Sequence, residues 1–248
     1  MATNYDFLFG RSFEQTDNNT QRPHVTLTYA QSLDGKIAGR HGQQLILSGA
    51  QSMTATHILR LMHDAILVGI GTVLNDDPRL SVRLTNDDLP EGSGPIRHPQ
   101  PIILDSKLRF PTTAKLLLPT SPTTPWIFTS SIHANSQRKT DLEALGAKIF
   151  LLDLDPSGHI SLEGLLSTLW ENKIRSVMVE GGASVISSFL KSGLVASFLL
   201  TIAPVYVGKD GVSAVEDAEA APEFDGISYH ALGRDVMMVA RPRYSASS

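Results

Sequence analysis

The sequence predicts an α/β fold, with a mostly parallel central sheet, helices on both of its faces and antiparallel strands at a C-terminal edge. Two observations predict it. From about residue 65 to Gly193, short apolar runs alternate with segments of helical period. Strands linked in that way lie parallel and are covered on both sides. After Gly193 no helical segment separates the remaining apolar runs, so these strands are expected to return antiparallel.

Residues 24–30 alternate, with Val25, Leu27 and Tyr29 on one side, and read as a strand. Ser48, with Gln51 three residues on, forms a capping-box pattern and predicts a helix bearing Met53, Ile58, Leu61 and Met62. The run at 65–70 ends in Gly-Ile-Gly and reads as a buried strand; 85–100, polar and rich in turn formers, reads as a surface loop. Strands follow at 102–105 and 126–129, a helix at 141–145 and a strand at 148–152. Ser161 caps a helix over 162–170. A strand at 174–180 leads into a helix at 183–192 that Gly193 stops. Strands at 198–202 and 236–240 end the series, with 207–226 irregular and acidic between them. No internal repeat or dividing linker is present, so the expected organisation is an N-terminal arm at 1–23 and one domain over 24–248.

Of the 248 residues 42% are hydrophobic and 19% charged, an ordinary globular balance. A net charge of −4 gives no support to binding of nucleic acid or an anionic membrane. The absence of cysteine excludes disulfides, thiol nucleophiles and cysteine-ligated zinc, and fits a reducing compartment. The first 21 residues lack the basic start and long apolar stretch of a signal peptide. With no apolar run of membrane-spanning length, the expected location is the cytoplasm. The histidines show no metal-binding spacing, and His57 reads as packed or surface rather than catalytic.

Three stretches carry candidate chemistry. VMVEGGASV at 177–185 runs a strand into paired glycines and a helix start. It is either an anion cradle built on free amides and the helix dipole or a plain tight turn. GIGTVLNDDPR at 69–79 sets a hydroxyl and two carboxylates beyond a strand end, where open α/β sheets bind ligands; Thr72 and Asp76 either bond a ribose or amide there, or Asn75 to Pro78 only caps and turns the chain. SLDGKIA at 32–38 is a hairpin with a solvated lysine unless Lys36 points into a cleft. Arg60, Arg79 and Arg83 flank the second strand end, and two of them converging would make a phosphate site.

Taken in order, SLDGKIA at 32–38, GTVLNDDPRLSVR at 71–83 and VEGGA at 179–183 resemble the reductase domain of riboflavin biosynthesis. The similarity spans residue 22 to the C-terminus. The resemblance implies a dihydrofolate-reductase-like fold, a homodimer, and NADPH-dependent reduction of 2,5-diamino-6-ribosylamino-4(3H)-pyrimidinone 5′-phosphate to its ribitylamino form. Lacking the cysteines of a zinc deaminase, the chain is similar to the free-standing fungal and archaeal type.

By the same resemblance, Thr72, Asp76, Ala30, Ile46 and Ser106 are expected to contact the cofactor. Gly181, Gly182, Ala183, Ser184, Val185 and Ile186 are expected to cradle its pyrophosphate. Gln44, Arg60, Leu80, Arg83 and Glu180 fall on the substrate side, with the arginines on the 5′-phosphate. Lys36 and Glu180 are the expected catalytic groups, Lys36 as proton donor at the ring oxygen. The alternatives are a reductase of the deaminated pyrimidine, a dihydrofolate or pteridine reductase, and a non-catalytic nucleotide-binding module. The helix at 50–63 carries none of the carboxylates a pterin reader needs.

Overall fold

The computed structural model describes residues 5–9, 21–89, 95–215 and 222–244. In chain order the elements are α1 (Asp6–Phe9), β1 (His24–Gln31), β2 (Lys36–Arg40), α2 (Ala50–Leu61), β3 (Ala65–Gly69), α3 (Ile70–Asp76), β4 (Gln100–Leu104), β5 (Trp126–Ser130), α4 (Gln137–Ala144), β6 (Lys148–Leu152), α5 (Leu162–Glu171), β7 (Ser176–Gly181), α6 (Ala183–Lys191), β8 (Ser197–Ile202), β9 (Gly211–Ser213), β10 (Glu223–Leu232) and β11 (Asp235–Arg243).

Nine strands form the main sheet in the order β10-β11-β8-β1-β7-β3-β4-β5-β6. From β8 to β6 all neighbours are parallel. Only the pairings of β11, with β8 and with β10, are antiparallel, at the C-terminal edge that the loss of helical segments predicts. The inner strands are buried on both faces. In β3, Ala65 and Leu67 join the core cluster under α5 and α6, while Ile66 and Val68 join the opposite cluster with Phe110, Leu116 and Leu142 of α4. A third cluster seats α2, through Ala55, Ile58 and Leu59, on Met178, Leu199 and Met237. This double burial is why the inner strands read as continuous apolar runs rather than alternating ones.

Several local expectations need correction. The α2 helix begins at Ala50 with Gly49 as its N-cap and no side-chain cap. Ser48 does not cap it. Instead Asp235, from the start of β11, accepts from the Gly49 amide at 2.7 Å. The adjacent Arg234 donates to the Leu47 carbonyl at 2.8 Å. The cap thus comes from a residue remote in sequence, which a local pattern cannot disclose. Strand β3 stops at Gly69, and Ile70, read from the sequence as the end of that strand, opens the short helix α3, which the sequence pattern does not announce. The fourth helix starts earlier, at Gln137, with Ser136 accepting from the Lys139 amide.

The SLDGKIA turn does not pair β2 with β1. Strand β2 pairs with β9 in a separate two-stranded ribbon. Asp34 ties the turn to that region by accepting from the amides of Val207 at 3.1 Å and Gly208 at 2.7 Å. The stretch read as irregular thus contains β9 and the start of β10, and 216–221 lie outside the described residues. Of the N-terminal arm and the surface loop, 1–4, 10–20 and 90–94 also lie outside them.

His63, just after α2, is 5% exposed. Its Nδ1 lies 2.6 Å from the Leu59 carbonyl and its Nε2 2.8 Å from Thr26 Oγ1. Burial lowers its pKa from 6.5 to about 4. The folded chain therefore resists protonation that the unfolded chain accepts, so stability falls as pH drops from 6.5 to about 4. This one group accounts for about 3 kcal/mol of that loss and contributes nothing above the window. Urea unfolding of His63→Gln should show a shallower fall with acidification than the unsubstituted chain; parallel curves would exclude the assignment.

Candidate active site

The parallel strands end in a cleft of about 520 Å³. Its floor is Tyr29 and Ala30 from β1, Gly69 from β3 and Glu180 from β7; one wall is α3 with Thr72, Asn75 and Asp76. The opposite wall is the loop bearing Gln44, Ile46 and Ser48, and the ribbon adds Ile37, Ala38 and Val212. The first turn of α6, from Gly182 through Ile186, closes one end. A second cleft of about 980 Å³ shares Gly69, Gly71, Ser184 and Val185 with the first, and carries Ser106, Lys107, Arg109 and Lys191 beyond β4. The two form one long groove with the α6 N-terminus at its middle.

Glycine makes that placement possible. Gly181 has φ +99°, and a Cβ there would lie 2.9 Å from the Ile186 side chain. A Cβ on Gly69 would lie 2.8 Å from Val185. Neither position tolerates a side chain, so α6 sits directly over the ends of β3 and β7. Thr72 fastens the turn, donating to the Gly181 carbonyl and accepting from the Gly182 amide, each at 3.2 Å. The first-turn amides of α6 have no intrahelical acceptor, and with the helix dipole they favour an anion.

Glu180 is the carboxylate of the cleft. Arg60 of α2 grips it with two bonds of 2.7 Å, and the Arg60 Nη1 donates to the Ser81 carbonyl at 3.1 Å. The side chains are 11% and 17% exposed. Burial opposes the Arg60 charge, but Glu180 outweighs it and holds the guanidinium pKa above its usual value. Glu180 keeps lone pairs for hydroxyl donors in the cleft. Burial raises the Tyr29 phenol to about 12 and also raises Asp76.

Most residues nominated from the sequence meet here. Ala30, Gln44, Ile46, Thr72, Asp76, Glu180, Gly182, Ala183, Ser184, Val185 and Ile186 line the first cleft, and Ser106 lines the second. Gly181 lies behind the lining, bonded through Thr72. Lys36 does not line the cleft; its Nζ bonds Ser213 Oγ on β9 at 2.9 Å. Arg60, Leu80 and Arg83 are not on the lining; of the three, Arg60 backs Glu180 directly. Leu80 is buried at 2% exposure with φ +51° and lines neither cleft. Arg83 reaches toward the His57 ring, and that histidine is buried at 4% exposure rather than on the surface. Sequence reasoning missed Tyr29, Lys107 and Arg109, although Tyr29 adjoins Ala30, Lys107 adjoins Ser106 and Arg109 lies three residues beyond Ser106.

The family described as the RibD C-terminal domain matches residues 23–238. A 2,5-diamino-6-ribosylamino-4(3H)-pyrimidinone 5′-phosphate reductase of Debaryomyces hansenii is 38% identical over 211 residues, covering 81% of this chain and 83% of that protein. Among solved structures, the riboflavin biosynthesis reductase of Saccharomyces cerevisiae superposes with a TM-score of 0.75 at 30% identity, covering 96% and 98% of the two chains. RibD of Acinetobacter baumannii superposes with a TM-score of 0.74 at 27% identity over 90% of this chain and 59% of that longer one.

Removing one partner of a buried ion pair strands the other charge, which costs about 3–5 kcal/mol. Glu180→Ala and Arg60→Ala should each lose roughly that much in urea unfolding, and the double variant less than their sum. Additive losses would show that the two side chains act independently.

Proposed function

Because the chain belongs to the RibD C-terminal domain family, we propose that it is a free-standing reductase that uses NADPH to convert 2,5-diamino-6-ribosylamino-4(3H)-pyrimidinone 5′-phosphate into its ribitylamino form. The chain is an oxidoreductase of riboflavin biosynthesis, with a dihydrofolate-reductase-like fold. The observation that carries the fuller reading is the groove that crosses the α6 N-terminus at the glycine turn.

The residues present fit a phosphorylated dinucleotide. Within Gly182 through Ile186, the amides of Ala183, Ser184 and Val185, free of intrahelical acceptors, would hold the pyrophosphate, with one nucleoside on each side. Thr72, Asp76, Ala30 and Ile46 would hold the nicotinamide side, and Ser106 the adenosine side. Lys107, Arg109 and Lys191 give the adenosine end a positive lining suited to a 2′-phosphate. When bound, the cofactor supplies a hydride. The protein's part is alignment and exclusion of water. Glu180, fixed by Arg60, accepts from sugar hydroxyls as the ribose opens and C1′ becomes electrophilic. Gln44 faces the same compartment. Arg83 takes the 5′-phosphate, with Arg60 completing the cluster through Glu180 and Ser81. Lys36, held by Ser213, has no direct part in this reading.

The catalytic body is 24–248, preceded by an arm at 1–23, and the enzyme works as a cytoplasmic homodimer. Among the described residues no helix is long and apolar enough to cross a membrane. Strand β10 forms one end of the sheet and leaves Ile227 and Tyr229 exposed, with Val236 exposed on β11 beside it. An uncovered apolar edge of that kind calls for a partner. Light scattering should report the mass of two chains throughout the micromolar range; a single chain's mass would contradict the dimer.

Loss of NADPH absorbance with the diamino substrate is the direct assay. Turnover of only the deaminated analogue would move the substrate assignment, and none with either would end the reductase reading. Gly182→Val should weaken NADPH binding at least roughly tenfold while the protein still folds, since a Cβ at Gly182 meets only Thr72 Oγ1, at 3.4 Å. Replacing Lys107 and Arg109 together by alanine should lower kcat/KM for NADPH by roughly tenfold to a hundredfold. The value with NADH should stay unchanged; equal losses with both cofactors would place these residues elsewhere.

A further inference from the structure

His57 lies on α2 one turn before Arg60, and the chain segment after α3 brings Arg83 against its ring. The Arg83 backbone N–H is 3.3 Å from His57 Nδ1, and the Arg83 Nε–H is 3.3 Å from His57 Nε2. A neutral imidazole has one acceptor nitrogen, so it serves one of these donors at a time. A protonated ring would set donors against donors on both sides.

The surroundings keep the ring neutral. Burial, then the charges of Arg60 and Arg83, lower its pKa to about 4, against the weaker opposing pull of Glu180 and Asp88. Arg83 is otherwise exposed, and among the described residues no bond engages its two Nη groups. An exposed arginine samples many rotamers, and ordering it on binding costs affinity.

We propose that His57 is a positioning residue of the substrate-anion site, whose neutral imidazole accepts from Arg83 and holds its guanidinium ready for the 5′-phosphate. The proposal rests on the reading of Arg83 as a phosphate contact and adds the residue that orders it. His57 itself touches neither substrate nor cofactor. It acts on binding of the phosphorylated end rather than on the reacting carbon.

The test compares His57→Phe, His57→Gln, Arg83→Ala and the double variant His57→Phe/Arg83→Ala, assayed with the phosphorylated substrate and its dephosphorylated analogue. His57→Phe should raise KM for the phosphorylated substrate roughly tenfold and leave kcat within about twofold. His57→Gln, which keeps an acceptor, should recover most of that loss. In the Arg83→Ala background His57→Phe should add less than about threefold. A full effect persisting in that background, a fall in kcat matching the rise in KM, or no rescue by glutamine would overturn the role of His57. If Arg83→Ala impairs both substrates equally, the phosphate reading itself has failed, a different result from any of these. Should His57→Phe not fold, ¹⁵N-arginine spectra of the unsubstituted enzyme decide instead. A slowly exchanging Arg83 Nε–H that quickens in His57→Gln or shifts there supports the contact, and free exchange in the unsubstituted enzyme rules it out.

Discussion

The contact that the rest of this structure depends on is the absence of side chains where α6 crosses the ends of β3 and β7. Gly69 and Gly181 leave the helix no spacer: Val185 and Ile186 fill the volume a Cβ would occupy. The helix start is therefore pressed onto the strand ends, and its free amides open into the groove instead of solvent. Thr72 makes the arrangement specific by bonding both sides of the Gly181–Gly182 peptide. Because the inner strands are parallel and covered on both faces, the ligand-facing edge is where their chain ends converge, and the glycines decide what is exposed there.

Charge is handled with the same economy. The buried Arg60–Glu180 pair is weak evidence for stability, since desolvating both ions offsets much of their attraction. What it provides is a carboxylate held in one orientation, backed by a guanidinium tied to the Ser81 carbonyl. His57 stands next to this pair with its proton affinity depressed. The neighbourhood thus sets two cations, Arg60 and Arg83, and two carboxylates, the fixed Glu180 and the exposed Asp88, around one neutral acceptor.

What the sequence discloses and what it hides divide along range. The inner strands were legible because burial on both faces writes itself as continuous apolar runs, as in β3. Ser161 was legible as a cap because its acceptor sits three residues from the amide it serves, and the bond is present. Gly193 was legible as a helix stop because a left-handed residue, here at φ +73°, is a local need. The glycine turn and Thr72 were nominated correctly as neighbours because strand ends meet at one edge. By contrast Asp235 caps α2 across 186 residues, and β2 finds β9 rather than β1, which turned Lys36 toward Ser213. The burial of His57 depends on Arg83 folding over it, and no period in the helix reports that.

The turn at residues 233–235 grips the cleft from behind. Arg234 holds the Leu47 carbonyl and Asp235 the Gly49 amide, so the rim that carries Gln44, Ile46 and Ser48 is moored to the C-terminal hairpin. Any ligand seated beneath that rim escapes only as fast as the rim can lift. The residence time of a bound molecule is thereby set in part by strands that never touch it.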